Sequence, residues 1–166
     1  MIEIIEKTNR QLGRIAAYCA VVMMLAQVFS VVARYVFSYG IIAVQETVVY
    51  GHALMFLLGA AVVLQTNEHV RVDVFYGSVK PRTRYLIDLI GLIGFVLPVA
   101  LLIGYYSWPY VARAWSTYEG SRQSGGLPAV FLLKTAILIF SASLSLQVIA
   151  TVTKLLRGES WNREKV

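Results

Sequence analysis

The sequence is poor in charged residues and in the residue types that build catalytic or metal sites. Only 14% of its 166 residues are charged, against about a quarter in an ordinary soluble domain. The single cysteine, Cys19, excludes an internal disulfide. His52 and His69 would face different sides of one helix, which disfavours a haem site. Nucleophile motifs, glycine-rich phosphate loops and paired metal ligands are also missing, so we predict neither an enzyme nor a bound cofactor or metal.

Hydrophobic residues, by contrast, make up 58% of the chain and are concentrated in four long runs. A bilayer core about 30 Å thick is crossed by about 20 apolar residues in a helix. The sequence has no strict alternation of apolar and polar residues long enough for the strands of a β-barrel. Helices are therefore the only structure expected to cross the membrane. The sequence therefore predicts an all-α membrane protein, with one four-helix transmembrane domain over residues 1–166. The predicted spans are 15–37, 44–64, 85–108 and 127–156.

Irregularities are expected within and just after the third span. Pro98 lies in the middle of that span and should kink it. The stretch from Pro109 to Tyr118 is too short and too mixed to cross the membrane, and it combines aromatic residues with Arg113. We expect it to form a short interfacial helix between the third and fourth spans.

The basic residues predict the orientation in the membrane. Eleven of the 15 Lys and Arg residues lie in the N-terminal segment, the second loop and the C-terminal tail. Cytoplasmic loops carry such an excess, so both termini are expected in the cytoplasm. Because the basic residues border the apolar runs, they indicate contact with membrane lipids and not with nucleic acid.

Three ionisable residues lie in the outer half of the predicted membrane domain: Arg34, Glu46 and Lys134. A charge buried alone in a membrane is costly, so the simplest interpretation is an ion-pair cluster in which Glu46 pairs with Arg34 or with Lys134. Direct contact with an ion or substrate is the alternative. A third possibility is that the long side chains reach the membrane surface without a partner.

Small residues on the fourth span suggest close helix packing. Ser141 and Ser145 are four residues apart and lie on one face of a helix. This face could pack within the four-helix domain or against a larger membrane protein, and the sequence is compatible with both.

One set of motifs resembles a known family. The second span ends with Leu58 to Ala61, and it is followed by the string Asn67 to Val74 and by Pro81. With Arg34 closing the first span and Glu46 opening the second, this order resembles the small permease subunit of TRAP transporters (tripartite ATP-independent periplasmic transporters, the DctQ-like family). The resemblance covers about residues 10–157. It also draws attention to three residues after the second span: His69, Arg71 and Asp73.

The resemblance implies a role and a set of partners. Small subunits of this family form a scaffold beside a large permease subunit, which holds the substrate and sodium sites and moves. A periplasmic substrate-binding protein delivers the substrate, commonly an organic acid. We therefore expect a heterodimeric symporter in the bacterial inner membrane, with sodium bound in the partner and not in this chain.

Two other classes of function stay open at this level. A small stand-alone exporter could use Glu46 as its proton carrier, although such chains are shorter and carry the carboxylate in the first helix. An assembly factor of another membrane complex is the second alternative.

Overall fold

The computed structural model describes residues 1–67 and 80–157, which form four long helices. Helix α1 covers Ile2–Phe37 and α2 covers Ile42–Gln65; α3 covers 81–116 and α4 covers Val130–Leu156. All four are long and apolar enough to cross a membrane, and the described ranges contain no strand. The predicted all-α fold with four transmembrane helices is therefore confirmed.

Helix α1 begins well before the predicted apolar span. Its 36 residues extend about 54 Å at 1.5 Å per residue, so the helix is longer than a bilayer core is thick. Its amino-terminal part is stabilised by contacts with α4, which are described below. At the other end Ser38 adopts a left-handed conformation with φ of 52°, and its N–H bonds to the carbonyl of Ala33. This cap starts the tight turn into α2.

Pro98 follows a π-helical turn within α3. The helix consists of an α-helical part, Pro81–Gly91, a π-helical turn, Leu92–Val96, and a second α-helical part, Leu97–Ser116. Proline lacks an N–H, and its ring crowds the carbonyl four residues earlier, here that of Gly94. The wider π turn lies at that carbonyl and accommodates the ring within a continuous helix.

The prediction of a separate interfacial helix between the third and fourth spans is wrong. Helix α3 continues through Pro109 to Ser116. Within a membrane, ending a helix would expose several unpaired backbone groups, whereas a proline removes only one bond. The aromatic residues that suggested a surface helix instead pack against α4. The ring centroids of Trp115 and Tyr118 lie 4.8 and 5.8 Å from that of Phe131.

Helix α4 is the most buried of the four helices and α1 the least. Helix α1 packs mainly on α2, α3 packs mainly on α4, and α4 also packs on α2 and on the amino-terminal part of α1. Val148 of α4 is fully buried, in a cluster with Leu64 of α2 and Leu92 of α3. We call the end of the bundle that holds Met1 and Arg157 the terminal end. The opposite end, with residues 38–41 and 117–129, is the loop end.

Candidate functional site

Glu46 lies in the second turn of α2 and attaches the 117–129 segment to that helix. Its Oε2 accepts a hydrogen bond of 2.6 Å from the backbone N–H of Leu127, and its Oε1 accepts one from the hydroxyl of Ser121. The position near the N-terminus of α2 also favours a carboxylate, because the helix dipole is positive there. Both carboxylate oxygens thus bind the loop that precedes α4.

The glycines of this loop allow the close approach. Gly125 has φ of 80°, a conformation that other residues rarely adopt. A Cβ atom on Gly126 would lie 2.7 Å from Oε1 of Glu46 and would also overlap the side chain of Ser121. The loop is closed by a 3.0 Å bond from the N–H of Ser121 to the carbonyl of Leu127. Glycine at position 126 is therefore required for Glu46 to reach the loop.

Lys134 has a different partner from the one the sequence suggested. Its Nζ lies 2.5 Å from Oε2 of Glu119 and 3.9 Å from the centre of the Tyr110 ring. The predicted ion-pair cluster is therefore wrong in its pairing, since Glu46 binds the loop and Lys134 binds Glu119. The lysine ties α4 to the end of α3. Charge and ring contacts of this kind fix one helix end against another.

Arg34 lies in the last turn of α1, where a cation interacts favourably with the helix dipole. It is exposed, and it lines one groove together with Gln45 across the hairpin turn. Within residues 1–67 and 80–157, Arg34 makes no ion pair or hydrogen bond with another side chain. Arg34, Glu46 and Lys134 therefore share the loop end of the bundle but form three separate arrangements.

Ser141 joins α4 to α3 within the membrane domain. Its hydroxyl donates a 2.7 Å hydrogen bond to the carbonyl of Ala100 on α3. A Cβ atom on Gly104 would lie 3.2 Å from Cβ of Ser141 and would overlap its hydroxyl. Ser145 is also buried, but its hydroxyl has no hydrogen-bond partner among the described residues. Of the two serines, Ser141 thus has a defined contact between helices.

Sequence reasoning missed a buried polar network at the terminal end. Nδ2 of Asn9 donates a 2.8 Å hydrogen bond to Oε1 of Gln147, whose Nε2 donates one of 3.2 Å to Thr151. Nearby, Lys154 of α4 pairs with Glu6 of α1. The signal that could have found the network is Gln147, a polar amide in the middle of an apolar helix.

A comparison with protein families identifies the chain. Residues 20–158, more than four fifths of the sequence, match the family profile described as tripartite ATP-independent periplasmic transporters, DctQ component. The chain belongs to the DctQ family. Its resemblance to the small permease subunit of TRAP transporters is thereby confirmed. No curated protein sequence matches the chain.

Three of the residues that drew attention to the DctQ family, His69, Arg71 and Asp73, lie outside the described residues. Their part in subunit contact stays a prediction. The same holds for Arg34, Glu46, Lys134, Ser141 and Ser145, whose positions are now known but whose contact with another subunit is not tested.

The polar contacts in the described part of this DctQ-family chain hold its helices and loops together. Most of the polar contacts described above join two helices or attach a loop to a helix. In the described part of the chain, no group of three or more His, Cys, Asp or Glu side chains could hold a metal ion. The family is one of transporters and not of enzymes. Four apolar helices and this family make the chain a multi-pass membrane protein.

Proposed function

We propose that this chain is the static scaffold subunit of a TRAP transporter that imports an organic acid, driven by a sodium gradient. In this proposal, a large permease subunit binds the substrate and sodium, and a periplasmic binding protein delivers the substrate. The observation that carries the proposal is that both carboxylate oxygens of Glu46 accept hydrogen bonds from the 117–129 segment. A proton carrier has to be released from its partners, whereas both oxygens of this carboxylate hold a loop in place.

The other polar residues support the same role. Ser141 and Gln147 are buried and hydrogen-bonded between helices, as in a body that keeps one shape. The exposed surface of α1 and α3 is mainly apolar and suits lipid or another membrane subunit. A scaffold needs such a surface and a rigid interior, and it needs no ion site of its own.

We further propose that the complex lies in the bacterial inner membrane, with the terminal end in the cytoplasm. The excess of Lys and Arg near both termini and in the second loop supports this orientation. The loop end, with Glu46 and Ser121, then faces the periplasm, where the substrate-binding protein docks.

Reconstitution tests the scaffold role. Proteoliposomes that contain this chain, the large subunit and the binding protein should take up the organic acid when sodium is high outside. Vesicles with this chain alone should show no uptake or efflux under either a sodium or a proton gradient. Transport by the isolated chain would favour the stand-alone exporter instead. Full transport by the large subunit and binding protein without this chain would also contradict the proposal.

A further inference from the structure

Polar side chains form a stripe on one exposed side of the α1–α2 hairpin. On α1, the stripe consists of Gln27, Ser30 and Arg34, spaced three and four residues apart and so on one helix face. On α2, Gln45 and His52 are seven residues apart, which places them on one face as well. We call these five residues the hairpin polar face.

The two halves of this face lie side by side. Gln27, Ser30, Arg34 and Gln45 all line one groove of about 370 Å³ between the helices. His52 continues the groove on α2, since it follows the lining residue Val49 by three positions. Counted from the turn of the antiparallel hairpin, Arg34 and Gln45 lie nearest the loop end, and Gln27 and His52 each lie seven residues, or about two turns, further from it.

The inner pair of this face lies deep in the membrane. Arg14 and Arg34 are 20 residues apart on α1, so they span about 30 Å, the thickness of the hydrocarbon core. Gln27 is seven residues, or about 10 Å, inside the boundary that Arg34 marks. His52 lies at the same distance beyond Gln45. Neither side chain is long enough to reach the headgroups from that depth.

These side chains lack partners among the residues that the structure describes. Gln27, Arg34 and His52 are exposed. Within residues 1–67 and 80–157, none of them forms a hydrogen bond or an ion pair with another side chain. The buried Gln147 on α4, by contrast, has its amide bonded on both sides. Arg34 could reach lipid phosphate at the boundary. Lipid tails offer nothing to Gln27 and His52, and an unbonded polar group in hydrocarbon is unfavourable.

We infer that the hairpin polar face is the surface that binds the large permease subunit within the membrane. The complementary chemistry is a transmembrane helix with a carboxylate level with Arg34. About 10 Å deeper, the same helix carries a hydrogen-bonding side chain between Gln27 and His52. The two polar groups at depth, Gln27 and His52, point to a protein and not a lipid, and a carboxylate of that protein would complement the charge of Arg34. The inference rests on the proposed scaffold function, because it names the surface of that contact.

Photo-cross-linking in the intact complex tests this surface, and the chain provides a matched control. A benzophenone amino acid is placed at position 27 or 52, and for comparison at position 25 or 29. Leu25 and Phe29 are also exposed but line a second, apolar groove with Val44 and Thr47. Positions 27 and 52 should cross-link to the large subunit, whereas positions 25 and 29 should cross-link only to lipid.

A second measurement uses the affinity of the complex. Replacing Gln27→Leu and His52→Leu together removes two hydrogen bonds of average strength for a membrane, so binding of the large subunit should fall roughly fivefold to tenfold. The isolated variant should insert and purify like the wild type, because neither side chain is hydrogen-bonded to another side chain in the described part of the protein. Leu25→Ala should leave binding unchanged.

The outcomes separate this inference from the proposed function. Cross-links from positions 25 and 29 alone, in a complex that still transports, would overturn the surface and leave the scaffold role intact. Cross-links from positions 27 and 52 to lipid alone, or to a second copy of this chain, would overturn it as well. Failure to recover any complex, with transport that does not need this chain, would instead overturn the proposed function.

Discussion

The side-chain amide of Asn9 is hydrogen-bonded to that of Gln147, at 2.8 Å, although 138 residues separate them in the chain. Both residues are almost completely buried. The bond joins the start of the first helix to the middle of the last, so it fixes the terminal end of the bundle. An amide pair in apolar surroundings has few alternative partners, which makes the contact specific for this arrangement of helices.

We expect the Asn9–Gln147 pair to behave as a unit. Gln147→Met leaves the Asn9 amide buried without a partner and should lower the free energy of unfolding in detergent by about 1–3 kcal/mol. The double variant with Asn9→Leu should lose less than the sum of the two single changes. Thermal unfolding in detergent measures both effects. The control is Gln11→Met, at an exposed site on α1, the helix that carries Asn9. It should change the free energy of unfolding by less than about 0.5 kcal/mol. Strictly additive losses would contradict the pairing.

Glu46→Gln should loosen the 117–129 segment. The amide keeps the size of the carboxylate but loses its charge and one acceptor oxygen, so the charge-assisted hydrogen bonds from Ser121 and Leu127 are weakened. We expect a loss of about 1–3 kcal/mol and faster tryptic cleavage after the exposed Arg122. The control is Ser124→Ala, at an exposed position of the same loop. Equal cleavage rates in Glu46→Gln and the wild type would show that the carboxylate does not hold the loop.

The ion pair of Lys134 should be detectable by a double-mutant cycle. Lys134→Gln and Glu119→Gln each remove one member of a pair that is mostly buried, at 12% and 29% side-chain exposure. The coupling energy should be about 1–2 kcal/mol, between the values for exposed and buried pairs. Lys134→Gln combined with Glu46→Gln should give a smaller coupling. A larger coupling to Glu46 would restore the pairing that the sequence suggested.

Gly104→Ala should separate α3 from α4. The added methyl group would overlap the Ser141 hydroxyl, so we expect a loss of about 1–3 kcal/mol from overpacking. Ser141→Ala in the same chain should recover part of that loss, because the overlapping oxygen is gone. Gly91→Ala is the matched control, since open space surrounds that position and alanine favours a helix. Equal effects at positions 91 and 104 would contradict the close packing described here.

The orientation can be tested by cysteine labelling. In a Cys19→Ser background, a cysteine at position 122 should react with a membrane-impermeant maleimide added from the periplasm, and a cysteine at position 80 should not. Arg122 and Lys80 are both exposed, so their difference reports the side of the membrane and not burial. Labelling at position 80 alone would reverse the topology.

The sequence alone predicts the four helices, because each apolar run is long enough to cross a membrane. It also identifies Arg34, Glu46 and Lys134 as a group at one membrane depth. It could not predict their partners, since hydropathy reports depth and not direction around the helix axis. The partner of Glu46 is in part a backbone N–H, which every residue but proline carries. The stretch from Pro109 to Tyr118 was wrongly assigned to a separate helix because its length and mixed composition do not reveal that Trp115 packs against Phe131.

The central position of α4 has a consequence for biogenesis. Helix α4 holds the partners of Asn9, Ala100 and Glu119, and it is the last of the four to leave the ribosome. Until it inserts, α1 and α2 can form a hairpin, but α3 has no helix to rest on. The complete bundle can therefore form only once α4 has been made. A chain that stops before residue 130 would contain a hairpin and an unattached helix, which is a form that membrane quality control can recognise.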